Sequence, residues 1–577
     1  MTFSHEATLP QLPLPELDSL REHLPRLLAP LADEAVCRNS RAALEHFLET
    51  DGPRLYRALM RWKEEQGENN SWLLPLWNRQ YLGWRGPLPI DMNYFLVLDE
   101  PLGKSAGKTI FSLAAVIQQL FKQSLPPETS RAGALSMRQF RSMFYTRLPL
   151  AGCDSLVHVA SGCELQASLV CNGSWFILPL SDASGRLYPA KSIDAALENI
   201  RNFASQDVLL NAPVGAMTTG LREQAASIRN ALLASPCNQM SLQAIEKTVF
   251  TVCLDPVQTD RDAYCLNALC GPAENRWFDK SLQIICPQSG SVALNMEHAG
   301  CDASAWCYLL EQSAMIDEKH QALDRVPAFQ KLLWDISPET EALLCNEAQI
   351  HAERAKAVRI LPCETGSQFG KNSIKALKCS PDAFVQLAMQ CAQYAIFGTM
   401  HSCYEAFSMR GYAGGRTECD RPSSSQALDL AKAVAENAPQ DTLLPLFAEA
   451  AQEHARRLSL CRNGQAVERL VFGLKSMFGL FGESLGINDE PSFFADPGLA
   501  LLQKNMLSTS GLGTPCVSLF GFGPVEENGL GIGYTMRDNE LSLVISACEN
   551  KGPEPEEFAA ILVRTMRVFA ATLKTKD

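Results

Sequence analysis

The 577-residue chain reads as an α/β protein in two halves. Three observations predict this. Short apolar and β-branched runs alternate with helical periodicities from Tyr94 to about Ser337. A capped helix opened by Pro338-Glu339-Thr340 then separates this section from a second mixed one. The second section closes on three Gly-punctuated strands and an amphipathic helix.

In chain order, Leu17 to Leu31 and Ser40 to Gln66 carry helical apolar spacing interrupted by Pro and by Asp51-Gly52. From Trp72 the text turns aromatic and Pro-rich. Leu165 to Leu178, Thr248 to Leu254, Gln283 to Pro287 and Ser291 to Met296 are strand candidates. Pro338 opens a helix to about Lys356. Ser380 is a good N-cap, Pro381 suits the first helical position and Asp382 complements the dipole. Phe384, Leu387, Ala388, Cys391 and Ala395 make one apolar face behind them. Pro515 to Phe522, Gly529 to Met536 and Glu540 to Ala547 are the closing strands, and Pro555 to Leu573 the closing helix.

Composition excludes several classes of function. At 46% apolar content the chain builds well-developed cores, and a net charge of −13 argues against a surface made for nucleic acid or anionic lipid. A local basic patch could still hold a small anion. The 20 Cys are scattered, with no C-x-x-C pair and no partnered His-x-x-x-His, so neither a zinc site nor a disulfide framework is expected, and no metal. No apolar run reaches the roughly 18 residues of a membrane span, the first residues do not form a leader, and Lys574-Thr575-Lys576-Asp577 is no peroxisomal address. A cytoplasmic protein without a membrane span is expected.

Two constellations carry chemistry. His298 follows an apolar run with Asp302 four residues on; a neutral imidazole takes a proton from a hydroxyl or thiol near neutral pH, and a carboxylate can orient its ring. The same pattern also describes a core histidine satisfied by a backbone carbonyl. Lys371, Lys375 and Lys378 precede the Ser380 cap, a concentrated cationic spot suited to phosphates or simply a solvated turn.

Further residues carry a resemblance over nearly the whole chain: Tyr81-Leu82 with Arg85-Gly86-Pro87, Met137-Arg138-Gln139-Phe140, Asn275-Arg276-Trp277-Phe278-Asp279-Lys280, Glu297-His298, Ser380-Pro381-Asp382-Ala383-Phe384, Tyr404-Glu405, Gly415-Arg416-Thr417-Glu418, Ser508-Thr509-Ser510 and Phe522-Gly523-Pro524. With these the chain resembles the choline/carnitine acyltransferases, which move acyl groups between coenzyme A and the hydroxyl of a quaternary ammonium alcohol. The resemblance implies two similar domains of the chloramphenicol acetyltransferase kind, each a mixed β-sheet with flanking helices, meeting along an active-site tunnel. Residues 66–340 would form an inserted domain with the catalytic histidine, and residues 1–65 plus 341–577 the second.

It implies His298 as general base, Asp302 steering it through a hydrogen bond, and Ser510 as oxyanion donor. Lys371 and Lys375 would approach the 3′-phosphate of coenzyme A, helped by Lys378, and Asp382 the pantetheine arm. Tyr404, Thr417 and Arg469 would bind the carboxylate of carnitine, with Trp77 and Tyr81 beside the ammonium. Phe520 would close the acyl pocket, making acetyl-CoA the co-substrate; a monomer is expected. The chain departs from the family in Gly511, usually glutamine, in an aromatic segment one residue short, in Ala303, and in Val467-Glu468-Arg469-Leu470 where Asp-Arg-His is usual. A choline O-acetyltransferase and a catalytically impaired acyl-CoA-binding relative are the alternatives.

Overall fold

The N-terminal periodicities become three helices, Ser19–Leu28, Glu34–Glu49 and Gly52–Gln66. The Asp33 carboxylate caps the second by accepting from Val36 N at 2.8 Å, and the break before the third falls at Asp51-Gly52, with Pro53 in its first turn. Their apolar faces bury Leu24, Phe47, Leu55 and Leu59 with Trp72, Leu470 and Leu474. The aromatic stretch after Trp72 carries a further helix, Leu73–Leu82, that its pattern did not announce. The computed structural model describes residues 1–160, 164–206, 212–258, 260–317, 323 and 325–574; Thr575-Lys576-Asp577 of the terminal motif lie outside them.

Two mixed sheets with flanking helices form the body, as the sequence predicts. The first runs, edge to edge, Gln330–Lys331, Ser174–Pro179, Gln166–Cys171, Thr251–Asp255, Leu282–Pro287, Ala293–Met296, Tyr94–Leu98 and Val517–Phe522. The long candidate Leu165 to Leu178 is a hairpin: Asn172 and Gly173 turn it with φ of 50° and 76°, the left-handed pair a tight turn needs. Side chains alternate across the sheet. Tyr94, Leu96 and Leu98 pack with Ile110, Ile193 and Leu309 on one face, while Phe95 and Val97 pack with Ile228, Tyr264 and Leu344 on the other.

The second sheet runs Val358–Glu364, Leu541–Cys548, Leu530–Met536, Leu507–Leu512, Cys403–Ser408 and Thr417–Asp420. Helices Pro381–Phe397, Ser425–Ala435 and Pro555–Lys574 cover one of its faces. Its other face adds Val358, Ile360 and Val544 to the core around Phe95 and Val97. Of the three closing strands, Val517–Phe522 therefore leaves its neighbours and pairs with Tyr94–Leu98, Phe520 opposite Leu96. Glycines permit this crossing: a Cβ at Gly533 would lie 2.2 Å from Phe520 O, and one at Gly521 2.7 Å from Phe95 and Val544 side-chain atoms.

Ser380 caps Pro381–Phe397 and Gly398 ends it with φ of 69°. Phe384, Leu387, Ala388 and Cys391 are buried, but Ala395 is exposed, because the last turn runs past the core. Among the described residues the cysteines are free and mostly buried, and no helix is long and apolar enough to cross a membrane.

Candidate active site

His298 stands two residues past the strand Ala293–Met296, on a loop tied down from below. Glu297, buried, accepts from Arg147 Nη1 on Oε1 at 2.9 Å, and its Oε2 accepts from the Tyr145 hydroxyl and from the Ala299 amide at 3.0 Å. Gly300 N donates to Tyr145 Oη at 2.9 Å, and a Cβ at Gly300 would meet Tyr145 Cε1 at 2.3 Å, so only glycine fits there. Asp302 then stands at the N-cap position of the helix Ala303–Ala314, its carboxylate turned to other partners and making no capping hydrogen bond. Its amide donates to Gln139 Oε1 at 2.7 Å, and its Oδ2 accepts from Gln139 Nε2 at 3.0 Å and Arg416 Nε at 2.9 Å.

The His298 side chain is 30% exposed, its ring 5.2 Å from Tyr81 and 5.0 Å from Tyr94 by centroid. The expected hydrogen bond between His298 and Asp302 is not made: Oδ1 lies 3.9 Å from Nδ1, whereas the Cys301 carbonyl lies at 3.3 Å. Asp302 is drawn away by the shorter pairing with Arg416. A proton on Nδ1 directed at Cys301 O leaves Nε2 as the basic nitrogen. Burial lowers the His298 pKa from its ordinary value; Asp302 pulls it up and Arg416 down. Asp302 itself, despite burial, is held below the usual carboxylate range by Arg416, His298 and the hydrogen bonds it accepts.

A cleft of about 410 Å³ opens over His298, lined also by Ser510, Tyr404, Thr417 and Phe520. Ser508, Thr509 and Ser510 of the strand Leu507–Leu512 all line it, and the Thr509 hydroxyl donates to Tyr404 O at 2.8 Å. Arg469, buried behind the cleft, donates from Nη2 to Tyr404 Oη at 3.1 Å and to Thr417 Oγ1 at 3.4 Å, and from Nε to Thr417 O at 2.9 Å. Its nearest carboxylate, Glu418, stands 3.8 Å away, with a pKa pushed up to about 7 by burial against the pull of Arg469. Trp77 and Tyr81 both line the cleft, on the Leu73–Leu82 helix; the Trp77 ring lies 4.2 Å from the Arg469 guanidinium. Phe520 is 3% exposed and meets Tyr94 edge-on at 6.1 Å.

The other expected residues stand apart from this cleft. Lys371 and Lys375 are exposed on the short helix Lys371–Ala376, one turn apart, and Lys378 follows with φ of 58°. Asp382 is half-exposed and held from the inner side: Oδ2 accepts from His454 Nε2 at 2.7 Å and Oδ1 from Tyr534 Oη at 3.3 Å, while Tyr534 Oη also reaches Glu405 Oε1 at 2.5 Å. Asp382, Glu405 and His454 thus place ligand atoms within 4.8 Å of one another, already linked by these hydrogen bonds. Tyr534 also explains Gly511: a Cβ there would lie 2.5 Å from Tyr534 Cζ.

Sequence reasoning did not single out Arg416, Gln139, Glu297 or Tyr145, which position the His298 loop. All four were visible only inside segments that carry the resemblance, Tyr145 in the stretch from Phe144 to Pro149. The Asn275–Lys280 motif is buried scaffold, with Arg276 paired to Asp255 at 2.7 Å and Asp279 to Arg222 at 2.8 Å. The assembled site offers a neutral base, a hydroxyl donor and a cation-backed pocket in one cleft, a set suited to activating a substrate hydroxyl.

The family model for Choline/Carnitine o-acyltransferase matches residues 12–564. Carnitine O-acetyltransferase of Rattus norvegicus is 28% identical, covering 94% of this chain and 90% of that protein. Carnitine O-palmitoyltransferase 1, liver isoform, of Homo sapiens is also 28% identical, covering 94% of this chain and 74% of that protein. Among solved structures, TRI3 trichothecene 15-O-acetyltransferase from Fusarium sporotrichioides aligns with a TM-score of 0.41 at 10% identity, covering 86% of this chain and 94% of that one.

Proposed function

This chain belongs to the choline/carnitine acyltransferase family and is an O-acyltransferase, and on that premise we propose that it moves an acetyl group reversibly between coenzyme A and the hydroxyl of carnitine. The observation that carries the reading is the single cleft that joins His298 and Ser510 to Tyr404 and Thr417, with Arg469 behind them.

His298 Nε2 takes the hydroxyl proton as the carnitine oxygen attacks the thioester carbonyl. The tetrahedral oxyanion receives a hydrogen bond from the Ser510 hydroxyl, typically worth about 3 kcal/mol in a transition state. Collapse breaks the carbon–sulfur bond, and the imidazolium returns the proton to the departing thiolate. No acyl-enzyme is needed. Lys371 and Lys375 serve the 3′-phosphate and Asp382 borders the pantetheine path. The division into 66–340 and 1–65 plus 341–577 belongs to the same reading, with the strand Val517–Phe522 lent across it.

Carnitine is favoured over choline because the Arg469 charge is only weakly compensated by Glu418, which leaves it attractive to a substrate carboxylate presented through Tyr404 and Thr417. Acyl length is not separated by identity, since acetyl and palmitoyl relatives match equally. It rests on Phe520, whose buried ring occupies the cleft wall beside Tyr94. The test is a matrix of acetyl-, octanoyl- and palmitoyl-CoA against carnitine and choline, for the natural protein and Phe520→Gly. The reading expects acetyl and carnitine to be preferred, with the octanoyl-to-acetyl ratio rising in the variant. A natural preference for palmitoyl, or an unchanged ratio, overturns the acyl-length part; preference for choline overturns the Arg469 part.

A further inference from the structure

Behind the His298 loop, on the side away from the substrate cleft, lies a second cavity of about 280 Å³. Arg138, Arg141 and His158 line it, and Gln139, Gly300 and Arg416 complete the wall against the loop. No carboxylate lines it among the described residues, in a chain with 64 acidic residues and a net charge of −13. Arg138 and Arg141 are not neutralised in place. Arg138 donates to neutral oxygens, Asn69 O at 3.2 Å and the Asn70 side chain, and Arg141 rests over the Phe3 ring at 4.5 Å. Arg416 is paired with Asp302, which faces the substrate cleft instead. Arg141 and His158 are exposed at the mouth, Arg138 is half-buried, and Gln139 and Arg416 are buried, so charge runs from the surface down to the loop.

Two permanent guanidinium charges without an acid partner, converging with an imidazole on a recess this small, match a small dianion rather than a polymer or a lipid surface. We propose that this cavity binds a small dianion, of the phosphate or dicarboxylate class, and that its occupancy is felt by the catalytic loop through Arg416. The linkage is short. Arg416 Nη1 and Nη2 donate to the carbonyls of Ala299 at 2.8 Å and His298 at 3.1 Å, so one side chain touches both the cavity and the backbone of the base.

An anion beside Arg416 also offsets its field at His298, which is faced by Asp302, Glu297 and Arg416 and by the Tyr81 and Tyr94 rings. Arg416 is one of the influences lowering the His298 pKa, so occupancy moves the acid limb of the pH–rate profile upward.

The experiment is isothermal titration calorimetry of the full chain with inorganic phosphate and, separately, succinate. Natural protein, Arg138→Gln, Arg141→Gln and the double variant Lys371→Gln/Lys375→Gln are compared, with circular dichroism confirming that each is folded. Expected is one saturable site whose affinity falls about tenfold in each arginine variant, the loss that follows removal of one charge-assisted contact, and is unchanged in the lysine variant. Binding of either probe supports the site, and their ratio tells phosphate from dicarboxylate. Absence of saturable binding by both, or binding lost only with the lysines, overturns it. A second readout, the upward shift of the acid limb with the bound probe and its disappearance in Arg141→Gln, presumes the acyltransferase reading. Calorimetry does not, so the two can fail separately.

Discussion

Arg416 Nε donates to Asp302 Oδ2 at 2.9 Å, both side chains buried, and the same guanidinium carries the carbonyls of His298 and Ala299. The carboxylate four residues after His298 therefore anchors the loop first and approaches the ring only to 3.9 Å.

Arg416→Lys cannot reproduce the planar fork that spans one carboxylate and two carbonyls. It is expected to lower kcat more than it raises KM. Removing one partner of such a buried pair typically costs about 3–5 kcal/mol, so Asp302→Ala should show a loss of that size in urea unfolding. Stability within experimental error of the natural protein in that variant contradicts the assignment.

His298→Gln is expected to reduce kcat by about 10²–10⁴-fold, the range of general-base assistance. On the proposed mechanism His298 acts in its neutral form. Burial sets its pKa below the ordinary value of 6.5, so the acid limb of kcat/KM should lie below pH 6.5 and activity should be level above it. A limb centred at or above the ordinary imidazole value rejects this environment for the base.

Arg469→Asn should weaken carnitine selectively. Loss of a hydrogen bond to a charged group is worth about 1.5–3 kcal/mol, or about 10–150-fold in kcat/KM. Choline, lacking a carboxylate, should be affected much less. Parallel assays with both alcohols check this, and equal losses for both speak for a merely structural arginine stacked on Trp77.

Gly511→Ala places a methyl group 2.5 Å from Tyr534 Cζ, and overpacking of this kind typically costs about 1–3 kcal/mol. In the Tyr534→Leu background the same change should cost less. Thermal unfolding of the four proteins gives the coupling directly; additive losses mean that the ring and the missing side chain do not compete for space.

Glu405 is buried, with Asp382 and Asp420 close by, and these raise its pKa well above the ordinary 4.5. The folded chain thus holds a proton that the unfolded chain has released. Its stabilising contribution is full below about pH 4.5 and is lost as pH rises toward the folded-state value. Glu405→Gln, which keeps an acceptor for Tyr534, should flatten that decline in urea unfolding across the interval. Parallel pH curves for the two proteins show that Glu405 is not the titrating group.

Much of the framework was legible because its signals are local. Ser380 and Pro381 sit where a helix needs a cap and a first residue, and the helix Pro381–Phe397 begins on them. The helix Leu73–Leu82 was not legible, since an internal proline and aromatic residues mask its periodicity. The hairpin at Asn172-Gly173 was signalled by a dipeptide inside one long apolar run, where strand propensity hides the turn.

Within the site, His298 and Asp302 are near in sequence and could be paired by spacing alone. Arg416, Gln139 and Tyr145 come from remote segments, and their meeting at residues 297–302 depends on how the elements pack. Gly511 read as a missing contact, and its reason, the Tyr534 ring, lies on the neighbouring strand.

The sequence by itself determined many of the elements, the α/β class and the chemical candidates, because caps, periodicity and residue type act over a few positions. Only the tertiary structure decided that Val517–Phe522 joins the far sheet, that Asp302 answers Arg416 before His298, and that Arg138, Arg141 and His158 share one acid-free recess. Such relations depend on close packing between distant segments, where a glycine that allows two backbones to touch, or a buried charge that must find a partner, selects among neighbours that no local pattern names.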